Sequence, residues 1–449
     1  MNAEVRAIRL CLCGVVLPLI THGQVAARLH QAGLPPVQGE LLRLEPPTNI
    51  VFRSDEGVRT NGFQALIFSP PEAEDAAPPP ARVRLSDGSR IGGRLLSLDM
   101  ETVELAPRHS PPLKLPRAEI TRLRWTDPAQ GVRHEGPTGT NKWVISDLPG
   151  RSGEPSWIFR DGLFLARGVG TVALDTGMST VARVEFDLHW TDRPRFRANF
   201  FSRETAQLSF SEGYVFYSPG HGTIFAMTRS SDPRQGIDIR RVDIPSLVSS
   251  NYARLDFRLN SQKGEGWLFA DGRLVRHWTD LGISGAGQAV VFQNFSAETR
   301  LGIANLRVSD WDGRTSLDPP PQGNLTTIVF KNGDTVQADR PTVSGTNLTF
   351  RFNNEPLTVP VGRVAQIHPP PPPESGEGPP TWIHFVRGDW VRAELLGLEV
   401  EGLRWRRAGT SGSLVSHLDH IRGLHVGRFK PVMDLSWYFP KTAAPKPTE

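Results

Sequence analysis

The stretch Thr180-Val-Ala-Arg-Val-Glu-Phe-Asp-Leu-His-Trp190 decides the fold class. Val184, Phe186, Leu188 and Trp190 fall on one side of an extended chain, and Arg183, Glu185, Asp187 and His189 on the other. This is the period of two of a β-strand, with one face expected in a core and the other in water. Similar short strands recur outward from it. Trp157-Ile-Phe159, Leu163–Ala166 and Thr171–Leu174 precede it, and Arg195–Phe201, Gln207–Phe210, Tyr214–Tyr217, Thr223–Thr228 and Tyr252–Leu259 follow. A hairpin over Gly266–Trp278 turns on Asp271-Gly272, a pair suited to tight hairpin turns. Gln288–Phe292 and Arg300–Val308 come last, before Trp311-Asp-Gly313. Roughly a dozen short strands at turn-limited spacing predict a two-sheet jelly-roll sandwich over residues 141–315.

The chain is 449 residues long, too long for one ordinary core, so two to four domains are expected. Its 43 glycines and 39 prolines suit many turns, and no long stretch has the apolar period of a helix. The fold class is therefore read as all-β. With 51 Lys and Arg against 47 Asp and Glu, the formal net charge is +4. A balance so close to neutral concerns solubility and leaves no footprint for nucleic acid.

Residues 1–23 read as an export signal: Arg6 and Arg9, then the apolar run Leu10–Ile20, then the small residues Thr21 and Gly23 near the expected cleavage point. The run is short for a bilayer span, and no other segment could serve as one. Cys13 lacks the small residue before it that a lipid-anchored export signal needs. Both cysteines, Cys11 and Cys13, lie inside this segment. A cleaved chain would have none, which excludes disulfides, thiolate nucleophiles and cysteine zinc sites. The expected location is periplasmic, cell-surface or extracellular.

Outside the sandwich a second pattern repeats. Residues 24–36 read as a lead-in and 37–75 as a worn small β unit. Arg82-Val-Arg-Leu-Ser-Asp-Gly-Ser-Arg-Ile91 opens a sharper unit over 81–126. The same layout starts at Ile328-Val-Phe-Lys-Asn-Gly-Asp (unit 325–368) and at Trp382-Ile-His-Phe-Val-Arg-Gly-Asp (unit 381–428). With Gly88, Gly333 and Gly388 in register, Ile120, Val364 and Ile421 follow 32, 31 and 33 residues later. Near-fixed spacing marks one structural unit used several times. Gly39-Glu-Leu-Leu-Arg-Leu in the worn copy matches Gly93-Arg-Leu-Leu-Ser-Leu. Proline-rich spacers (76–80, 319–321 and the linker 369–380) separate the units, and 429–449 reads as a tail. A sheet this small is expected to close into a barrel. The pattern resembles the SH3-like or Sm-like small barrels of exported bacterial proteins.

The central block resembles the concanavalin A-like lectin/glucanase superfamily. The resemblance lies in the order of Trp-Ile-Phe-Arg-Asp-Gly-Leu-Phe (157–164), Val-Glu-Phe-Asp-Leu-His-Trp (184–190), Leu-Phe-Ala-Asp-Gly-Arg-Leu-Val (268–275) and Ile-Ala-Asn-Leu-Arg-Val-Ser-Asp-Trp-Asp-Gly (303–313). Laminin-G-like modules and the 3-keto-disaccharide hydrolase domain look similar in this way. Retaining glycosidases of that superfamily carry Glu-x-Asp-x-x-Glu on one strand, and their chemistry needs two carboxyls about 5 Å apart. Glu185-Phe-Asp187 matches the first half, but the second glutamate's position is Trp190. Glu185 and Asp187 are thus the catalytic candidates, weighed against a plain polar face turned to water. Lectin-like sandwiches also hold Ca²⁺ on Asp and Asn oxygens; Asp310, Asp312 and Asn305 are candidates here, as are Asp271 and Asp280, with turn chemistry as the alternative. His417, Asp419, His420 and His425 cluster in sequence but are expected to point apart at a barrel edge. Among the many rings, Phe201, Tyr217 and Trp278 are the candidates for exposed sugar contacts. Arg404, Arg406 and Arg407 read as a solvated strand face.

The reading that follows is an exported, non-catalytic protein binding a glycan or cell-surface polymer through the sandwich. The small units would serve as spacers or protein-docking modules, and no cofactor is required. One alternative is a glycoside hydrolase or lyase. Another is a structural or assembly protein of the cell envelope.

Overall fold

The computed structural model describes residues 25–31, 34, 36–45, 49–68, 80–125, 131–147, 155–160, 162–203, 205, 213–220, 224–228, 237–282, 287–311, 313, 324–332, 334–371, 381–386, 388–407, 410 and 412–427. The export-signal reading, the linkers at 76–79, 319–321 and 372–380, the strand expected at 207–210 and the tail 429–449 lie outside them. The described chain is all-β apart from a five-residue helix at Pro245–Ser249 and three short 3₁₀ turns. Among the described residues no helix is long and apolar enough to cross a membrane.

The centre is a two-sheet sandwich, and the alternation of Val181–Trp190 places it there. That strand pairs antiparallel with Tyr252–Asn260 on one side and Leu301–Asp310 on the other. Val132–Gly136 and Leu163–Ala166 share the far edge of Leu301–Asp310, so the first sheet begins before position 141. Its outer edge is the hairpin Glu265–Ala270 with Arg273–Trp278. The second sheet runs in the order Trp143–Asp147, Gly170–Asp175, Ala289–Asn294, Arg195–Ser202, Tyr214–Pro219, Ile224–Thr228 and Ile237–Arg241. The two inner faces meet through aromatic rings. Phe186 and Phe257 of the first sheet reach Phe292, Phe200 and Phe216 of the second at 5.0, 4.6 and 5.1 Å between centroids. Trp190 is 1% exposed in this core.

Four five-stranded units accompany the sandwich, with first strands at Val25–His30, Ala81–Leu85, Thr326–Phe330 and Thr381–Phe385. In each unit the first strand pairs with the second and the fifth, the second with the third, and the third with the fourth. In each, the second strand slips register against the third, at Leu41/Arg43, Leu95/Ser97, Asp339/Thr342 and Leu395/Gly397. Such bulges bend a small sheet over its own core. Gly93 is fixed by that bend: a Cβ there would lie 2.6 Å from the Ala106 carbonyl oxygen on the third strand. The segment 24–36, expected as a lead-in, contributes the opening strand of the first unit instead. Ala27 and Leu29 alternate into the core and are 2% and 1% exposed.

The units join in pairs through their fifth strands. Ile120–Trp125 of the second unit pairs with Val364–His368 of the third, Leu123 opposite Ile367 and Arg124 opposite Gln366. Ile421–Val426 of the fourth pairs with Ala65–Phe68 of the first, Leu424 opposite Leu66. Second and fourth units meet where Trp390 pairs with Arg90, and where the Gly92 N–H donates to Asp389 Oδ2 at 2.9 Å. Arg407 belongs to this junction. It is 1% exposed and bonds to Asp87 at 3.2 Å and to Glu119, which corrects its reading as part of a solvated face. Arg404 and Arg406 are exposed and pair with Glu399 and Glu394.

Candidate functional site

The outer face of the first sheet carries the carboxylates that suggested an enzyme. Strand register sets them in rows. Glu135, Arg307, Glu185 and Asp256 lie side by side across four strands; Arg183 and Arg258 form the next row, and Asp187 and Arg254 another. This face is dry: Glu185 is 6% exposed, Asp187 0% and Asp256 8%. The expectation of a water-facing strand is therefore corrected. The units cover the face. Arg82 of the second unit donates to Glu135 Oε1 at 2.7 Å, and Arg124 and Arg90 of that unit lie close enough to act on Glu185. On the other side Gly388 of the fourth unit packs on Asn305, and Gly162 of the sandwich packs on Arg422.

The carboxylates of this face accept from fixed arginine, tyrosine and asparagine donors. Of these carboxylates Glu135 alone keeps a buried oxygen, Oε2, without a hydrogen-bond partner among the described residues. Arg183 grips Asp256 in a two-point fork, 2.9 and 2.7 Å, and reaches Glu185 Oε1 at 2.9 Å. Arg254 donates to Asp187 Oδ1 at 3.0 Å and to Glu185 Oε1 at 3.3 Å. The Tyr252 hydroxyl adds a bond to Asp187 Oδ1 at 3.3 Å. Asn305 supplies the last one, Nδ2 to Asp187 Oδ2 at 2.7 Å. Asn305 can do so because it sits in a β-bulge: register shifts between Glu185 and Asp187, and Asn305 takes a positive φ of 49°.

Burial alone would push the Glu185 carboxyl up. Arg183, Arg254, Arg307 and Arg124 outweigh it and hold the group well below the usual carboxylate range. Burial likewise lowers Arg183 and Arg254, and the carboxylates beside them raise both above the ordinary value. Burial and then Asp187 push the Tyr252 phenol well up, so it stays protonated. A retaining glycosidase needs one protonated and one ionised carboxyl facing a sugar. Glu185 is held ionised, Asp187 is saturated with donors, Trp190 is in the core, and the face is covered. This arrangement fastens the sandwich to the units and offers no acid catalyst.

The remaining candidates separate. Phe201 is 2% exposed, a correction explained by a second bulge. Register shifts between Phe200 and Ser202, and Phe201, at φ 60°, packs edge-on to Tyr214 at 5.6 Å. Trp278 is also 2% exposed, packed in the sandwich core beneath the hairpin. Tyr217 stays half-buried, its ring 5.1 Å from Phe295. Asp310 is bound by Arg133 at 3.0 Å, Asp271 accepts from the Arg254 N–H at 2.9 Å, and Asp312 lies outside the described residues. His417 and His420 are exposed with rings 6.2 Å apart, whereas His425 is buried against His384, Nε2 to Nδ1 2.8 Å. Asp419 is exposed and 3.1 Å from His417. Among the described residues no group of three or more such side chains is placed to hold a metal. A cavity of about 10 Å³ beside His109, Asp389, Phe385 and Trp405 has room for a single water.

Sequence reasoning missed the outer face of the second sheet. Alternation there turns Phe196, Ala198, Phe200, Phe216 and Phe292 inward. It turns Thr171, Gln293, Arg197 and Tyr217 outward, directly opposite one another across four strands. Arg197 donates to Gln293 Oε1 at 2.7 Å. Burial lowers its guanidinium to about 10. Beside this polar row runs an apolar one, Ala173, Val291 and Val215, interrupted by Asn199. Ser146 extends the polar row at the edge. The signal was present in the strand alternation, but fixing the row needed cross-strand register, which a single sequence does not state.

No family model and no curated protein matches the sequence. Solved structures similar to it include a carbohydrate-binding module from Bacillus subtilis, 14% identical, covering 38% of this chain and 96% of that one with a TM-score of 0.27. Another is LamAcat from Zobellia galactanivorans, 12% identical, covering 39% and 94% with a TM-score of 0.28. Both scores are below 0.5, and the architecture rests on this chain's own strand pairings.

Proposed function

We propose that the chain is an exported, non-catalytic glycan-binding protein that presents the outer face of the second sheet. Four copies of one small barrel-like module form the base beneath the first sheet. The observation behind this reading is the arginine-locked, covered state of Glu185 and Asp187. It removes the carboxylate pair from chemistry and leaves as candidate the second sheet, whose outward Tyr217 and Gln293 are half-buried while Thr171, Arg197 and Asn199 beside them are buried. The Tyr217 ring and the Gln293 amide suit a sugar, whose C–H face packs on a ring while its hydroxyls take hydrogen bonds. Tyr217 and Gln293, both half-buried, are the reachable members of the row, with Arg197 and Thr171 behind them. Ca²⁺ has no part in this reading.

The test is a glycan array probed with the whole chain, followed by Tyr217→Ala and Gln293→Ala. Retention on a defined set of glycans, reduced at least tenfold by either substitution, supports the reading. Absence of binding across the array, or turnover of a bound glycan, overturns it.

A further inference from the structure

At the seam between the second unit and the sandwich, cations outnumber anions among the described residues. Arg82, Arg90, Arg124, Arg183, Arg254, Arg258 and Arg307 face Glu135, Glu185, Asp187, Asp256 and Asp389. The carboxylates are already distributed: Glu135 to Arg82, Asp256 to Arg183 and Arg258, Asp187 to Arg254, and Glu185 to Arg183 and Arg254. Among the described residues, no ion pair or side-chain hydrogen bond reaches the guanidinium of Arg124 or Arg307. Arg307 is 8% exposed, and its Nε is buried without a hydrogen-bond partner. Arg124 sits directly opposite Arg82 in an antiparallel pair, an arrangement of like charges that destabilises a sheet. Arg124 and Arg307 also act on each other and share Glu185 and Arg183 as neighbours.

A buried guanidinium left without acceptors costs several kcal/mol. Glu135, directly opposite Arg307, gives one oxygen to Arg82 and keeps a single unbonded Oε2, too little to satisfy both Arg307 and Arg124. We propose that this seam binds a small tetrahedral oxyanion, phosphate or sulfate, between Arg124 and Arg307. Planar guanidinium forks match two oxygens of such an ion at once. The ion would offset the excess positive charge and separate Arg124 from Arg82. Arg124 is half-buried, which leaves a route from solvent. The site lies on the opposite side of the sandwich from the polar row, so it stands independently of the glycan reading.

The test uses the full chain, with sodium sulfate or phosphate compared with sodium chloride at matched ionic strength. Calorimetry is expected to show saturable binding in the range of about 1 mM or tighter, with a saturating rise in Tm of about 3 °C. General exclusion of these salts from protein surfaces also stabilises, but without saturation. Arg124→Gln and Arg307→Gln should each weaken binding at least tenfold, and Arg404→Gln, far from the seam, should not. Phenylglyoxal labelling of the wild-type chain gives a readout free of folding defects: phosphate should slow modification of Arg124 and leave Arg404 unchanged. Stabilisation that never saturates, unchanged binding in Arg124→Gln, or equal labelling of Arg124 with and without phosphate would each overturn the proposal.

Discussion

The sandwich has two outer faces built by the same alternation, and they carry opposite chemistry. On the first sheet the outward row is Glu135, Arg307, Glu185 and Asp256, and the small units close over it. On the second the outward row is Thr171, Gln293, Arg197 and Tyr217, with one charge and two amide or hydroxyl groups beside a phenol. A row of full charges is stable when buried only if each finds its counter-charge, so it suits a permanent joint. The second row holds one charge, on the buried Arg197, and needs no counter-charge from another layer beyond the Gln293 amide it meets.

Breaking the joint should give the largest effect. Arg183→Leu strips donors from both Asp256 and Glu185 and is expected to cost about 3–5 kcal/mol in urea denaturation. A loss under about 1 kcal/mol would show that the seam is wetter than its burial implies. Acid comes next. Burial, then Arg28 and Arg160, lowers His30 from 6.5 to about 4, and burial with His425 and Arg422 lowers His384 well below its ordinary value. Both are neutral in the folded chain, whereas the unfolded chain takes up their protons below pH 6.5. Stability should therefore fall as pH drops from about 6.5 to about 4, by roughly 3 kcal/mol from His30 alone. His30→Gln should flatten the dependence of the urea midpoint on pH over that window. Glu185, held low, adds its own loss as pH falls through the ordinary carboxylate range and below it.

Smaller effects belong to the second face and the rim. Tyr217→Ala, at a half-buried ring, should cost about 1 kcal/mol of stability while removing glycan retention, so that the two readouts part company. Arg406→Gln removes an exposed pair with Glu394 and should change the denaturation midpoint by no more than about 0.5 kcal/mol equivalent.

The strand Val181–Trp190, the Asp271-Gly272 hairpin and the closing aliphatics of the second, third and fourth units were legible because each is a local pattern. What covers a strand is not local. Glu185 and Asp187 read as a wet face because alternation separates polar from apolar residues and says nothing about a second layer supplied by Arg82 and Arg124. A hint lay in Arg82-Val-Arg84 and Arg122-Leu-Arg124: strands that place arginines opposite arginines call for negative charge from elsewhere. Phe201 was misplaced for a different reason. One extra residue at a bulge reverses which side a chain faces, and no composition rule marks where the extra residue falls. The opening strand Val25–His30 was missed because six residues of mixed character before a proline pair resemble a linker.

The joining of fifth strands sets an order of events along the chain. Ala65–Phe68 is among the first of the described strands to be synthesised, and its partner Ile421–Val426 is the last of them. In between, the edge Ala-Leu-Ile-Phe stays open while the second unit, the sandwich and the third unit are made. An apolar strand with an unpaired edge invites pairing with another chain. A nascent or truncated product ending before residue 421 would therefore keep an adhesive edge. Only a chain that extends through Ile421–Val426 covers the edge laid down at Ala65–Phe68.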